Sequence, residues 1–366
     1  MTLRLGVVIG RFQPVHRGHL QAVLKPAFEH SDHVLILFGS ANRAPSPKDP
    51  FDPETRFRLM LAALTDAGVD LGGDVPKVQW RALDDFAYSE DLWLEQTQRL
   101  VGEYQRSLAT VLGREVKVTL FGARKDRTSY YVNGFPQWDL HLGEPERVGE
   151  FSATRVRELL YEGDEAWRDL VPEVVARELD AWRETEAFAW CAKEHAFYAK
   201  YRAPYEAFAA QMRHGVISVT VDAVVFSRGR VLLVQRKRHP GKGLWALPGG
   251  YLEPDELPYD GAVRECREET RFRLSRGWLF AEQVYAAPNR SLKGRVLTIG
   301  YGFNVPWTVD DDPVSHAMNL NRVSGGSDAA HAQWVPVSDV LTQDAFKRGM
   351  FEDHFDIVAD MHRRLP

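Results

Sequence analysis

The feature that most constrains the fold is an alternation of short apolar runs and helical patterns over the first 170 residues. Aliphatic and β-branched runs at 5–9, 34–38 and 116–121 are separated by segments with helical periodicity near 20–28 and 56–64. Strands that alternate with helices are typical of parallel sheets whose two faces are covered by helices. We therefore predict a doubly wound α/β domain in the N-terminal part of the chain.

The pattern changes after Gly215. Strand-like runs at 216–221, 223–226, 231–234 and 296–303 flank a strongly charged helical segment, which favours a separate α+β domain. The stretch between the two patterns contains helix formers with interleaved aromatic residues, typical of a helical connector. These patterns predict three parts in chain order: a first domain at 1–185, a helical connector at 186–212 and a second domain at 213–366.

Composition narrows the classes of ligand. Lys and Arg total 46 against 51 Asp and Glu, and this net charge of −5 gives no general reason to expect nucleic acid or an anionic membrane as partner. Two cysteines, Cys191 and Cys266, cannot form a disulfide framework in 366 residues. No run approaches the roughly 18 apolar residues that span a bilayer. We expect a cytoplasmic protein with small soluble ligands, and a homo-oligomer remains open.

A glycine-containing turn follows the first apolar run, in the sequence GRFQPVHRGH at residues 10–19. Backbone N–H groups between a strand and a helix attract phosphate. Because His16 and His19 are three residues apart, they share a face of the first helical turn. Two imidazoles there would stabilise charge on a transferring phosphoryl group. The predicted ligand contacts from this segment are Gly10, Arg11, Phe12 and Gln13.

A second motif, FSATRVR, occupies residues 151–157. The hydroxyls of Ser152 and Thr154 can cap a helix, and Arg157, one turn on, would point its guanidinium at the same phosphates. The two motifs resemble the HxGH and ISSTxxR signatures of the nucleotidyltransferase superfamily. Phe151 and Ala153 depart from the second signature, and Ala153 removes one of its hydroxyls.

Further segments of the first domain resemble archaeal-type nicotinamide mononucleotide adenylyltransferases. These segments are 39–43, 48–51, Arg56, 84–85, Tyr88, Trp93, 121–126, 129–131 and 135–138. The resemblance implies a Rossmann-like sheet and a reaction of ATP with nicotinamide mononucleotide that gives NAD and pyrophosphate, with Mg²⁺ neutralising the leaving group. It also implies ligand contacts from Arg43, Lys125, Asp126 and Trp93, although Trp93 fits a core tryptophan nearly as well. A flavin or pantetheine phosphate acceptor is the alternative.

A carboxylate cluster marks the second domain. On a helix, Glu265, Glu268 and Glu269 project within roughly 100° of one another. Such a cluster repels itself unless cations fill it, and oxygen ligands suit Mg²⁺ or Mn²⁺. A solvated acidic face is the alternative, but Arg264 inside the cluster and the lead-in at 244–250 argue against it. Bound metal would polarise a diphosphate and activate water.

Residues 250–272 resemble the Nudix box, GX5EX7REUXEEXGU, at nearly every fixed position. The resemblance implies a mixed sheet sandwiched by helices. Together the two halves resemble bacterial fusions of the adenylyltransferase with a Nudix hydrolase, whose Nudix substrate is ADP-ribose, giving AMP and ribose 5-phosphate. Cys266 replaces an aliphatic residue, a small change. Arg271 replaces a glycine. If the left-handed backbone conformation is kept at this position, arginine would cost about 1 kcal/mol of folding free energy.

Other expectations for the second domain are less specific. Arg236 and Lys242 precede the box in a basic segment that is either a solvated hairpin or a phosphate contact, and Gly249 and Gly250 are expected at the ligand. The general base is left open among Glu282, Asp310, Asp311, Asp312 and Asp328. His354 is expected to be a surface or cap residue. A Nudix domain that senses ADP-ribose without hydrolysing it is the alternative function.

Overall fold

The computed structural model describes residues 2–72, 76–122, 134–143, 151–212, 215–306 and 323–366. Its contacts divide the chain into two compact units, Met1–Ala192 and Lys193–Pro366. The boundary falls inside the segment expected to be a helical connector. Within the described ranges, no helix is long and apolar enough to cross a membrane.

The first unit contains a five-stranded, all-parallel sheet, which confirms the predicted doubly wound fold. Its order is β3-β2-β1-β4-β5. The strands are β1 (Leu3–Gly10), β2 (His33–Phe38), β3 (Val78–Ala82), β4 (Val116–Gly122) and β5 (Asp139–Leu142). The edge strands β3 and β5 were not anticipated because they are short and partly exposed, so they lack the continuous apolar pattern of β1 and β2.

Helices cover both faces of this sheet and enclose two apolar cores. They are α1 (Arg17–His19), which continues through a π-helical turn (Leu20–Leu24) into α2 (Lys25–His30), then α3 (Pro53–Asp66), α4 (Glu90–Leu112), α5 (Ala153–Glu162), a 3₁₀ turn (Glu165–Leu170), α6 (Glu173–Arg183) and α7 (Glu186–Ala209). The strand order reverses between β1 and β4, and ligands of such sheets bind beyond the carboxyl ends of the strands at that point. The glycine turn at residues 10–19 lies there.

The second unit contains a seven-stranded mixed sheet. The main path is β10-β11-β6-β7-β12, with β8 paired to β7 and β9 to β6; β11 and β6 are parallel. The strands are β6 (Ser218–Ser227), β7 (Arg230–Arg236), β8 (Trp245–Ala246), β9 (Gly249–Tyr251), β10 (Leu279–Tyr285), β11 (Val296–Asn304) and β12 (Ala329–Pro336).

Two strands expected at 216–221 and 223–226 form one, so that expectation is wrong. Asp222 interrupts the apolar pattern in the sequence, yet it is buried within β6 and accepts a hydrogen bond from Thr298 Oγ1 at 2.6 Å. A satisfied polar group can lie inside a strand.

The helices of the second unit pack around this sheet. They are α8 (Pro258–Thr270), a 3₁₀ turn (Arg276–Trp278), α9 (Val337–Thr342), α10 (Asp344–Lys347) and α11 (His354–Arg363). Residues of α7 from Lys193 onward also belong to this unit. Helix α8 is the charged helix predicted between 260 and 270, and it buries Ala262 and Cys266 in the core.

Candidate active sites

The turn after β1 is held by its own side chains. Phe12 adopts a left-handed backbone (φ 50°) and is buried. A Cβ at Gly10 would lie 2.8 Å from the Phe12 ring, so this approach requires glycine. The buried Gln13 amide donates to the Phe51 carbonyl at 2.8 Å and accepts from the Phe51 N–H at 3.0 Å. Phe12 and Gln13 thus fix the path of the turn.

The two signature histidines lie against each other. His16 precedes α1, and its Nδ1 accepts from the His19 N–H at 3.3 Å. Their rings stack with centroids 3.6 Å apart, and Phe12 meets His19 edge-on at 4.8 Å. A Cβ at Gly18 would lie 3.0 Å from Phe151 Cβ and 3.1 Å from the His16 ring. The close packing at Gly18 therefore joins the two signatures of the first unit.

Arg157 is buried and bound to protein atoms. Its Nε donates to the Pro47 carbonyl at 3.0 Å, its Nη1 to the Gln13 carbonyl, and its Nη2 to Thr154 Oγ1 at 3.3 Å. A guanidinium has five N–H donors, and these bonds to described residues use three of them. Burial lowers the pKa of Arg157. The structure therefore shows Arg157 holding three segments together.

The expected capping role of Ser152 and Thr154 is wrong. Ser152 stands at the position before α5, but its side chain makes no capping hydrogen bond there. Thr154 lies inside the helix, where its hydroxyl accepts from Arg157.

Three further cations lie at the carboxyl ends of the central strands. Arg11 is 46% exposed, with its guanidinium 3.7 Å from the Asp49 carboxylate. Arg43 Nε donates to Asp85 at 3.3 Å. Burial lowers the pKa of Lys48, and the charges of Arg11 and Arg43 lower it further against the opposing effect of Asp49 and Asp85. Lys48 was not singled out as a site residue, since only burial beside other cations distinguishes it from a surface lysine.

Of the remaining ligand residues predicted for the first unit, the structure describes Trp93. Trp93 is partly buried against the second core of the unit, 6.0 Å from the Phe135 ring, which is the alternative given for it. Lys125 and Asp126 lie outside the described residues. Arg56, which belongs to the segments that carry the family resemblance, is buried. Its Nη1 donates to the carbonyls of Arg11 and Gly39 and so ties the ends of β1 and β2 together.

A cleft of about 600 Å³ lies in the second unit. Its lining includes residues of strands β6, β7 and β9, of helix α8 and of the loop at 290–293, together with Phe351, Glu352 and His354. The predicted residues that it brings together are Arg236, Gly249, Gly250, Arg264, Glu265, Glu268 and Glu269. Lys242 is exposed and is not part of the lining.

The carboxylates on the cleft differ in their surroundings. Glu269 is buried and accepts from the Gly249 N–H at 3.1 Å, and burial raises its pKa to about 8. Glu265 lies so close to Gly250 that a Cβ there would be 2.3 Å from its Oε1. Burial also raises the pKa of Glu265. Glu268 is 42% exposed. The backbone of Gly249 and Gly250 on β9 thus lies in close contact with the carboxylates of Glu269 and Glu265 on α8.

Arg264 balances this negative charge. It binds Glu256 through Nε at 3.0 Å and Nη2 at 2.7 Å, and Glu265 through Nη1 at 2.8 Å, with Glu268 at 3.6 Å. Within the described ranges, no three His, Cys, Asp or Glu side chains are grouped as a metal site. The donor chemistry nevertheless fits Mg²⁺ or Mn²⁺, because carboxylates that face one cleft supply hard oxygen ligands.

The departures from the Nudix box have the expected structural form. Cys266 is fully buried among apolar side chains. Arg271 keeps the left-handed conformation after α8, with φ 62° and its N–H bonded to the Arg267 carbonyl at 2.8 Å.

Several residues of the cleft were missed by the motifs. Glu352 has a left-handed backbone (φ 49°) and accepts from Ser291 Oγ at 2.6 Å; burial raises its pKa to about 7. Arg290 and Asp353 form a bidentate ion pair in which both side chains are 3% exposed. The sequence signal for these residues was the polar run Glu352, Asp353 and His354, but this run does not match the spacing of a known motif.

The expectation for His354 is wrong. This residue is buried on the cleft, and its Nδ1 accepts from the Leu247 N–H at 2.9 Å. Among the candidate bases, Asp328 lines the cleft and is 71% exposed. Glu282 is exposed on β10 away from the lining, and Asp310, Asp311 and Asp312 lie outside the described part of the chain.

Comparisons with known proteins agree with this division. The family model "Cytidylyltransferase-like" matches residues 7–120 and the model "NUDIX domain" matches residues 217–354. A nicotinamide/nicotinic acid mononucleotide adenylyltransferase of Acinetobacter baylyi is 32% identical over 183 residues, which are 50% of this chain and 88% of that protein. A nicotinamide-nucleotide adenylyltransferase of Pyrococcus furiosus is 29% identical, over 50% of this chain and 87% of its own.

A solved structure is similar over both units. The crystal structure of a bifunctional NMN adenylyltransferase/ADP ribose pyrophosphatase from Francisella tularensis, complexed with AMP and a Mn ion, has 28% identity and a TM-score of 0.79, and the match covers 99% of each chain. These similarities confirm the resemblance drawn from the motifs. The chain belongs to the nicotinamide mononucleotide adenylyltransferase family and carries a NUDIX domain that follows the adenylyltransferase unit in the sequence.

Proposed function

We propose that the chain is a bifunctional enzyme of NAD metabolism. Its first unit transfers AMP from ATP to nicotinamide mononucleotide, and its second unit hydrolyses ADP-ribose to AMP and ribose 5-phosphate. The observation that carries this proposal is the similarity over 99% of the chain to a protein described by both activities, with both sets of signature residues present.

In the first unit, a phosphate oxygen of nicotinamide mononucleotide attacks the α-phosphorus of ATP. The bond from that phosphorus to the oxygen shared with the β-phosphate breaks, and pyrophosphate leaves. The chain contributes position and charge: the stacked His16 and His19 follow the end of β1, and Arg11, Arg43 and Lys48 add positive charge near it. Such electrostatic stabilisation accounts for most of phosphoryl-transfer catalysis. Mg²⁺ accompanies ATP as part of the substrate.

In the second unit, we assign Glu265, Glu268 and Glu269 to hold Mg²⁺ or Mn²⁺, which when bound polarises a diphosphate and activates water. Water oxygen forms a bond to one phosphorus of ADP-ribose, and the bridging P–O bond breaks. Arg264 fixes the Glu265 carboxylate by a 2.8 Å hydrogen bond. Arg236 faces the same cleft and supplies positive charge to the diphosphate.

Incubation with ATP, nicotinamide mononucleotide and Mg²⁺ should yield NAD and pyrophosphate in equal amounts. A panel with flavin mononucleotide and pantetheine phosphate tests the acceptor, and formation of their adenylylated products instead of NAD would contradict the proposal. Incubation with ADP-ribose and Mg²⁺ should yield AMP. Tight ADP-ribose binding without AMP release would favour a sensor role for the second unit.

A further inference from the structure

Helix α7 supplies a buried carboxylate to the second unit from outside the region that matches the NUDIX model. Glu194 is 1% exposed, whereas the match begins at residue 217. A buried carboxylate is costly unless it is hydrogen-bonded. Its partners therefore show what it does in the fold.

Both oxygens of Glu194 bind one loop, defined here as the basic loop, residues 237–243. The Gly241 N–H donates to Oε1 at 2.9 Å and to Oε2 at 3.0 Å, and His239 Nδ1 lies 2.5 Å from Oε1. Gly241 has a left-handed backbone (φ 71°), and a Cβ there would lie 2.3 Å from the Phe351 ring. The loop is thus fixed between Glu194 and Phe351.

The same loop positions Arg236. The Arg236 Nε donates to the Pro240 carbonyl at 2.7 Å, and its guanidinium lies 4.2 Å above the Phe351 ring. Arg236 lines the cleft. A chain of contacts therefore leads from Glu194 through the basic loop to a cation that faces the ligand.

We propose that Glu194 is a positioning residue for substrate binding by the Nudix cleft, acting through the basic loop on Arg236. This inference rests on the proposed ADP-ribose hydrolysis. Glu194 itself does not touch the substrate. Removing its carboxylate leaves the Gly241 N–H without its acceptor and weakens the support of the loop that carries the Pro240 carbonyl, so Arg236 is held less firmly above Phe351.

The test uses the full chain and steady-state ADP-ribose hydrolysis with saturating Mg²⁺. Glu194→Ala should raise KM about 10-fold and change kcat less than about 3-fold, because an interaction made equally in ground and transition states affects KM alone. Arg236→Ala should raise KM by a similar factor. Glu194→Gln should restore part of the loss, since its amide oxygen can still accept from Gly241. Glu206→Ala, an exposed position on the same helix, is the matched control and should leave KM unchanged.

The double variant Glu194→Ala/Arg236→Ala decides between mechanisms. If Glu194 acts through Arg236, the double variant should have the KM of Arg236→Ala alone. Multiplied effects, or an unchanged KM in Glu194→Ala, would overturn the inference. The melting curve of the second unit shows whether Glu194→Ala folds. If it does not fold, the same comparison is made with Glu194→Gln, alone and combined with Arg236→Ala. A wild-type chain that leaves ADP-ribose intact would refute the proposed function instead.

Discussion

Glu268→Gln should separate the two activities. Glu268 is 42% exposed, and its distance of 3.6 Å to Arg264 is that of a solvated ion pair. Such pairs contribute about 1 kcal/mol or less to folding, so the free energy of unfolding should change by about 0.5 kcal/mol. The carboxylate nevertheless faces the cleft among the oxygens assigned to the metal. Losing one charged ligand should cost about 4 kcal/mol of transition-state stabilisation, a roughly 1000-fold fall in ADP-ribose hydrolysis.

Both activities should be measured on the same preparation, AMP release from ADP-ribose and NAD formation from ATP and nicotinamide mononucleotide. Asp260→Asn makes the same carboxylate-to-amide change at an exposed position of α8 and should leave both rates unchanged. Thermal unfolding of the two variants checks that neither is destabilised.

Either of two results would contradict separate active sites with Glu268 in the second. Equal losses of both activities in Glu268→Gln would mean that the chemistry does not divide between two sites. Hydrolysis at the wild-type rate would mean that Glu268 is only part of a solvated acidic face, the alternative that the sequence left open.

The geometry at Arg271, Arg157 and Glu352 also predicts measurable effects. Arg271→Gly should raise the free energy of unfolding by up to about 1 kcal/mol in urea titrations, because the left-handed φ of 62° favours glycine. Arg157→Met should lower the stability of the first unit by about 3 kcal/mol in calorimetry, because the carbonyls of Gln13 and Pro47 lose a donor; a change under 1 kcal/mol would contradict it. Glu352→Gln should stabilise more at pH 8 than at pH 5: burial raises the Glu352 pKa from 4.5 to about 7, so the wild type loses stability as pH rises through this range, by at most about 3 kcal/mol. An equal gain at both pH values would refute that assignment.

The architecture was predictable wherever the sequence carried a local period. The central strands β1 and β2 are apolar throughout and were found directly. The short edge strand β5 has mostly exposed residues, and nothing in its four letters separates it from a loop. At Asp222 the sequence instead predicted an interruption between two strands where the structure has one. The carboxylate is buried inside β6, and its partner Thr298 lies 76 residues away, so no local sequence pattern indicated that the charge is hydrogen-bonded.

Site residues were likewise predictable where they lie close together in the sequence. Glu265, Glu268 and Glu269 were found because a helix brings residues three and four apart onto one face. Glu352, Ser291 and Arg290 line the same cleft, although they come from segments about 60 residues apart, and Asp353 binds Arg290. No spacing rule connects such segments, so only the fold reveals them.

The signature arginines show why a motif predicts a neighbourhood better than a contact. Arg157 was expected to point at phosphate, yet its guanidinium binds the Gln13 and Pro47 carbonyls and Thr154. Arg264 likewise binds Glu256 and Glu265. A guanidinium satisfies several acceptors in fixed directions, so the same residue can join loops and leave donors for a ligand. A motif that requires arginine at such a position is consistent with a structural role and with ligand binding, and the spacing of the motif does not separate the two. The structure does separate them for Arg157, because its bonds to the Gln13 and Pro47 carbonyls hold the turn before His16 in place.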